Sequence, residues 1–307
     1  MYYALIVLSV IMFGGCFALN DQYRQERGSG IKISLQLSLI TALSGLIVLW
    51  IINGFAIQFT PFTLLISLIA TVNSLLSYFC ALKALGISNL SVYSLFSMLG
   101  GMLLPFFQGI FFYGEKFTFA KIVCLALICG ALLLTLKKQG GGKGKGMIYY
   151  IAIFTFNGMS GVLSKLFASA PTEWKTMPSG EVVSSAGYSV LTAMCTVILS
   201  AAILLLFFRK KGDVLPHTPK SIIVGSLSGS VNKVANWILV FSLAQGIDSS
   251  VQYPMVTGGT MIVSTVISLF SKNKPEKRQL VSIALAFLGM LALFVLPILF
   301  PEFNEFY

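Results

Sequence analysis

Ten stretches of predominantly apolar residues recur along the chain, each close to or above the roughly 18 to 20 residues that an α-helix needs to cross about 30 Å of hydrocarbon. They fall at 2 to 20, 32 to 53, 61 to 84, 89 to 113, 119 to 137, 147 to 168, 183 to 208, 219 to 244, 249 to 271 and 278 to 298. Backbone groups in lipid have no water to bond, so runs of this length are satisfied only as helices, and an all-α bundle of ten transmembrane helices is predicted. Composition agrees: 56% of the 307 residues are hydrophobic and 10% charged, against about 25% charged in a soluble domain. The first run lacks a basic start and a small-residue cleavage site after "CFALN", so it reads as a retained helix and not as a signal peptide.

The formal net charge of +11 would point to nucleic acid in a soluble protein; its placement here reports membrane orientation instead. Of the 21 basic residues, 16 lie in the connections after runs 1, 3, 5, 7 and 9, including Arg24, Arg27, Lys32, Lys137, Lys138, Lys143, Lys145, Arg209 to Lys211 and Lys272 to Arg278. The opposite side holds 4, namely Lys116, Lys121, Lys165 and Lys175, and Lys233 lies within a run. The positive-inside rule then predicts a multi-pass protein of the cell membrane, inner or plasma, with both termini external. The expected surroundings are the lipid bilayer, with no nucleic acid partner, and the chain is expected to act as a monomer or a homodimer.

Catalytic and metal chemistry find little material. The cysteines, Cys16, Cys80, Cys124, Cys129 and Cys195, all fall within runs, form no CxxC pair and read as small packing residues. The single histidine, His217, sits between two prolines in "DVLPHTPK". The stretch "QGGGKGKG", 139 to 146, matches neither GxxxxGK[ST] nor GxGxxG and follows no strand, so a linker is expected there. DxxD, HExxH and GxSxG are absent, which leaves an intramembrane enzyme such as a prenyl or phospholipid transferase as the least favoured alternative, and no cofactor or metal is expected.

The linker divides two similar halves. "ALKALGIS", 81 to 88, resembles "SLAQGID", 242 to 248; "SMLGGM", 97 to 102, resembles "MVTGGT", 255 to 260; "ALICGALLL", 126 to 134, resembles "LAFLGMLAL", 285 to 293. Three matches at nearly one offset argue for duplication, with a first repeat over 1 to 138 and a second over 147 to 307. Five helices per copy is an odd number, so the second copy enters the membrane upside down. Inverted repeats of this kind mark secondary transporters, whose substrate site lies near the midplane between the halves.

With this architecture, "LKALGISNLSVYSLFSMLGGMLLPFFQGIFFYGEKFTFAKIVCLALICGALLL", 82 to 134, resembles the drug/metabolite transporter superfamily, and within it the ten-helix EamA-type carriers. Gly114 and Glu115 are similar to the family's Gly-Glu after the fourth helix, and Gly130 to its closing glycine. The second copy carries "FSKNKPEK" where the first has Gly-Glu. The resemblance implies ten helices and an alternating-access carrier of a small metabolite.

The eighth run supplies the candidate anchor. Ser226, Gly229, Ser230, Lys233, Asn236 and Trp237 recur at helical spacing as one polar stripe. A charge at the bilayer centre costs about 2.5 to 3.5 kcal/mol on insertion scales and marks pathways. Lys233 lies about 18 Å by helical rise from either end of its run, too far for its stem to snorkel; its alternative role is to pin helices by bonding carbonyls. At an offset of 160 it pairs with Asn73 in "TVNSLLSYF", which also holds Tyr78. Tyr93, Ser97, Gln252, Tyr253 and Thr257 are expected to join them from helices 4 and 9, and Gly14, Gly15, Asn157, Gly158 and Gly161 from helices 1 and 6. The glycines are equally explained by close helix packing. Pro254 is expected to open a local break in helix 9. Glu115 and Lys116 read as a structural pair at a helix end.

No Asp or Glu occupies the central third of any run, which disfavours cation export by carboxylate exchange. The reading is a secondary-active transporter of an anionic or zwitterionic metabolite such as an amino acid, organic acid or phosphorylated metabolite, with a channel or a structural membrane protein as the alternative.

Overall fold

A computed structural model describes residues 2–28, 31–87, 90–135, 147–208, 218–269 and 277–300. Among them are eleven helices: α1 (Tyr2–Arg27), α2 (Ile31–Ile52), α3 (Pro61–Ile87), α4 (Leu90–Tyr113), α5 (Phe119–Thr135), α6 (Met147–Ser169), α7 (Thr172–Lys175), α8 (Ser185–Phe208), α9 (Pro219–Ala244), α10 (Ser249–Leu269) and α11 (Lys277–Leu299). The linker 139–146, His217 and the basic residues at 137, 138, 209–211, 272 and 274 lie outside the described residues.

Each long helix begins and ends close to an apolar run, with two instructive differences. α1 continues through the polar "DQYRQER" to Arg27, because the added turns find their own burial: Tyr23 is 1% exposed and Arg27 4%. Gln36 of α2 accepts from the Arg27 guanidinium at 3.2 Å. α10 runs unbroken across Pro254, so the expected local break is absent. Pro254 lies in the second turn, past the amides that lack an intrahelical acceptor, since the Gln252 amide already bonds the Asp248 carbonyl at 2.9 Å; the helix continues with the bond to the Ser250 carbonyl forgone. α9 starts at Thr218, whose hydroxyl caps the Ser221 amide at 3.1 Å, with Pro219 in the first turn. It ends at Gly246, where φ is 88° and the Ile247 amide reaches back to the Ser242 carbonyl at 3.3 Å; that left-handed conformation suits glycine.

Among the described residues, six helices are long and apolar enough to cross a membrane by length and composition: their spans are Tyr2–Asn20, Ile31–Ile52, Phe96–Tyr113, Ile148–Ser169, Ser185–Phe208 and Leu280–Leu299. The bundle turns large apolar side chains outward, such as Phe112 at 82%, Leu206 at 77% and Ile298 at 79% exposure. That surface is unfavourable in water and favourable in hydrocarbon. The protein is thus an all-helical membrane protein.

Small residues bring the helices together. α1 packs on α9 and α10, α2 on α8 and α9, α3 on α6 and α8, α4 on α6 and α10, and α5 on α11. Where α2 crosses α9, a Cβ at Gly229 would stand 2.5 Å from the Thr41 carbonyl oxygen; where α4 meets α6, one at Gly158 would stand 2.6 Å from the Gly100 carbonyl oxygen. Only hydrogen fits at such contacts. The largest apolar cluster, with Ile6, Met102, Cys124, Ile128, Met255 and Ala286, ties α1, α4, α5, α10 and α11 into one end of the bundle.

Candidate functional site

Polar residues of eight helices, α1, α2, α3, α4, α6, α8, α9 and α10, line a cavity of about 460 Å³. α9 contributes most. Its cavity face runs through Ser228, Gly229, Asn232, Lys233, Asn236, Leu239 and Val240, which recur every three to four residues. Lys233 sits near the middle of that helix, and its lower stem rests against Gly45 of α2.

Of the residues expected from the sequence, Lys233, Asn73, Asn157, Asn236, Tyr253, Thr257 and Ser97 line this cavity, as do Gly161 and Gly229. Asn73 and Lys233, related by the repeat offset, reach it from α3 and α9. Trp237, Ser230, Gln252, Ser226, Gly14, Gly15 and Gly158 do not line it. Trp237 lies on the flank of α9, against a cluster of Leu49, Val190 and Ala193, and its ring is 6.1 Å from that of Phe241. Ser230 is half-buried outside the cavity lining. Gln252 is fully buried and donates to the Leu239 carbonyl at 3.1 Å, so it joins α10 to α9. For Ser230 and Trp237 the cause is rotation: the cavity face of α9 is centred on Lys233 and Asn232, and the polar stripe leans to one side of it. The side chains of Tyr78 and Tyr93 lie outside the described residues.

The helix-6 glycines pack as small residues do. Gly161 touches the Tyr253 ring, and its carbonyl accepts the Tyr253 hydroxyl at 3.1 Å. A Cβ at Gly15 would meet nothing within 4 Å, so tight packing does not explain that glycine.

Several cavity residues escaped the sequence reading. Asn232 adjoins Lys233, and Tyr188, Thr192 and Thr196 form a polar stripe along α8. The four-residue spacing in "YSVLTAMCT" was the available signal. The hydroxyls also fasten α8 to α3: Thr192 donates to Ser67 at 3.2 Å, and Thr71 and Thr196 are 3.4 Å apart.

The electrostatics are one-sided. Lys233 is the only charged residue among the described ones that line the cavity. Among the described residues its ammonium has no hydrogen bond and no ion pair. A cation in this setting is stabilised by whatever anion enters. No group of three His, Cys, Asp or Glu able to hold a metal ion occurs among the described residues.

A second charged cluster lies at the helix ends beyond the cavity. Lys165 of α6 donates to Glu115 at 2.7 Å, and the Ser249 and Ser250 amides at the start of α10 donate to the same carboxylate at 2.7 and 2.8 Å. The expected Glu115–Lys116 pair is therefore replaced by Glu115–Lys165; the Lys116 carbonyl instead accepts from Lys121, which also meets Asp248 at 2.8 Å. Helix termini favour an anion at their first amides, and the Glu115 carboxylate fills that place at the start of α10. Burial opposes ionisation of Glu115, but the bonds from Lys165 and Ser250 outweigh it and hold its pKa down to about 2. Gly114, with φ of 65°, makes the turn that returns Glu115 toward the bundle.

No protein-family model and no curated protein matches the chain. It is similar in fold to solved structures, one of them described only as "Crystal structure of protein", with a TM-score of 0.72 and 18% identity over 95% of this chain and 96% of that one. The two share an architecture along essentially their whole lengths.

Proposed function

We propose that the protein is a secondary-active carrier that moves a small anionic or zwitterionic metabolite across a cell membrane by alternating access. Lys233 is the cationic anchor. The observation that carries this reading is an ammonium with no partner among the described residues, in a polar cavity to which eight helices contribute.

The packing supports ten membrane-spanning helices arranged as two inverted repeats, with 1 to 138 and 147 to 307 as the halves. Match α1 to α5 in order with α6, α8, α9, α10 and α11. Then α1 on α9 becomes α6 on α3, α1 on α10 becomes α6 on α4, and α2 on α9 becomes α8 on α3. The pairs α2 with α8, α4 with α10 and α5 with α11 map onto themselves. α7, four residues long, is an addition in a connection. This symmetry is what the resemblance to EamA-type drug/metabolite carriers implies, and the charge distribution favours both termini outside.

Counterflow in proteoliposomes tests the carrier reading. Vesicles preloaded with an unlabelled solute that binds the protein should accelerate uptake of the same solute in labelled form, because a site that alternates returns faster when occupied. Uptake indifferent to the internal solute would indicate a channel.

A further inference from the structure

Three of the asparagines that line the cavity, Asn73, Asn157 and Asn236, are tethered through their amide nitrogens and turn Oδ1 to the open side, whereas Asn232 and Asn20 use Oδ1 as the acceptor, from Asn236 and Ser228. Asn73 Nδ2 donates to the Phe156 carbonyl at 2.8 Å and so ties α3 to α6. Asn157 Nδ2 donates to the Ser97 carbonyl and ties α6 to α4. Asn236 Nδ2 donates to Asn232, at 2.9 Å to its carbonyl and 3.0 Å to its side-chain oxygen. A backbone carbonyl only accepts, so the amide assignment is fixed by chemistry in all three. Each Oδ1 is then left as an acceptor, and among the described residues none of the three has a hydrogen-bond partner. Asn73 is 8% exposed, and all three residues line the cavity.

We propose that Asn73, Asn157 and Asn236 form an acceptor wall that, with Lys233, selects a small monocarboxylate bearing N–H or O–H donors in addition to its acid group. This inference deepens the carrier reading and rests on it. One cation can match one carboxylate. A phosphate monoester carries about −1.5 to −2 charges at neutral pH and only acceptor oxygens on that group, so it would leave charge unmatched and set oxygen against oxygen. A purely apolar acid would leave the amide oxygens unpaired once water is displaced, the situation that gives polar sites their strongest discrimination. An ammonium or hydroxyl satisfies them. Serine and threonine hydroxyls on the cavity wall rotate to donate or accept and therefore discriminate less. Tyr253 adds no free donor, since its hydroxyl is committed to Gly161.

Matched pairs of acids test this by calorimetric titration of the full chain in detergent: serine against propionate, leucine against 4-methylpentanoate, and gluconate against hexanoate, with glycerol 3-phosphate as the dianion. In at least one pair the donor-bearing acid should bind at least tenfold tighter; the amino and hydroxy pairs separate an ammonium from a hydroxyl as the preferred donor. Asn236→Ala is the fold-safe variant, because the bonds of Asn236 stay within α9. It should reduce the preference at least threefold by weakening the donor-bearing acid and sparing its partner. Lys233→Met should weaken both members alike. Equal affinities within every pair, tighter binding of glycerol 3-phosphate, an unchanged preference in Asn236→Ala, or no binding by any member of the panel would each overturn the acceptor wall. A preference that persists in Lys233→Met without loss of affinity would keep the wall and remove Lys233 as the anchor.

Discussion

Lys233 occupies the space that Gly45 leaves open: a Cβ at position 45 would stand 2.8 Å from Lys233 Cβ and 3.2 Å from the Gly229 carbonyl oxygen. The contact lies at the base of the lysine stem, where no rotamer change can relieve it. Gly45→Ala should therefore force α2 and α9 apart and displace the ammonium. Overpacking of this kind costs about 1 to 3 kcal/mol, read as a lower melting temperature in detergent, accompanied by weaker solute binding. An unchanged melting temperature would show that the interface yields more easily than its geometry implies.

Glu115 makes stability depend on pH in a defined direction. Its pKa in the folded protein is about 2, below that of the free carboxyl, so the unfolded chain binds the proton more tightly. The stabilisation is fully present above the unfolded value, near 4.3, and is lost as pH falls toward 2. Thermal melts between pH 6 and 2.5 should show a decline in the wild type that is much shallower in Glu115→Gln. Identical slopes would remove Glu115 as the responsible group.

Trp237 separates the polar stripe seen in the sequence from the face that lines the cavity. Trp237→Leu should lower the melting temperature by thinning the cluster with Leu49, Val190 and Ala193, while solute affinity changes less than threefold. Loss of binding with retained stability would return Trp237 to the site.

Orientation follows from charge alone. A reporter active only in the cytoplasm, fused after Tyr307, should be silent, given 16 basic residues in one set of connections against 4 in the other. Strong activity would invert the assignment. Replacing Lys143 and Lys145 with glutamine should weaken the bias and leave binding intact in correctly oriented protein.

Apolar length made the long helices legible to within about a turn, the polar end of α1 apart, because a hydrocarbon solvent leaves the backbone few alternatives. Lys233, Asn73, Asn157 and Asn236 were legible as cavity-lining residues for a related reason: polar groups in such helices are costly and tend to be turned inward. What stayed hidden depends on rotation and on long-range partners. A few tens of degrees about the α9 axis remove Ser230 and Trp237 from the cavity and admit Asn232. The Glu115–Lys165 contact joins residues fifty positions apart, which helical periodicity cannot register. The polar continuation of α1 was missed because a search for apolar runs stops where polarity begins, although Tyr23 is nearly fully buried.

The central claim is that Lys233 holds an anion, and Lys233→Met tests it most directly, with solute binding and melting temperature measured on the same preparation. The substitution keeps most of the volume and removes an uncompensated charge, so the melting temperature should hold or rise. A charge-assisted hydrogen bond is worth about 1.5 to 3 kcal/mol, which corresponds to roughly a 10- to 100-fold loss of affinity. Lys233→Arg should recover only part of it, because the guanidinium is larger and directs its donors in a fixed plane. Weakened binding with an undiminished melting temperature is the predicted result; undiminished binding with a lowered melting temperature would make Lys233 a packing residue and contradict the account.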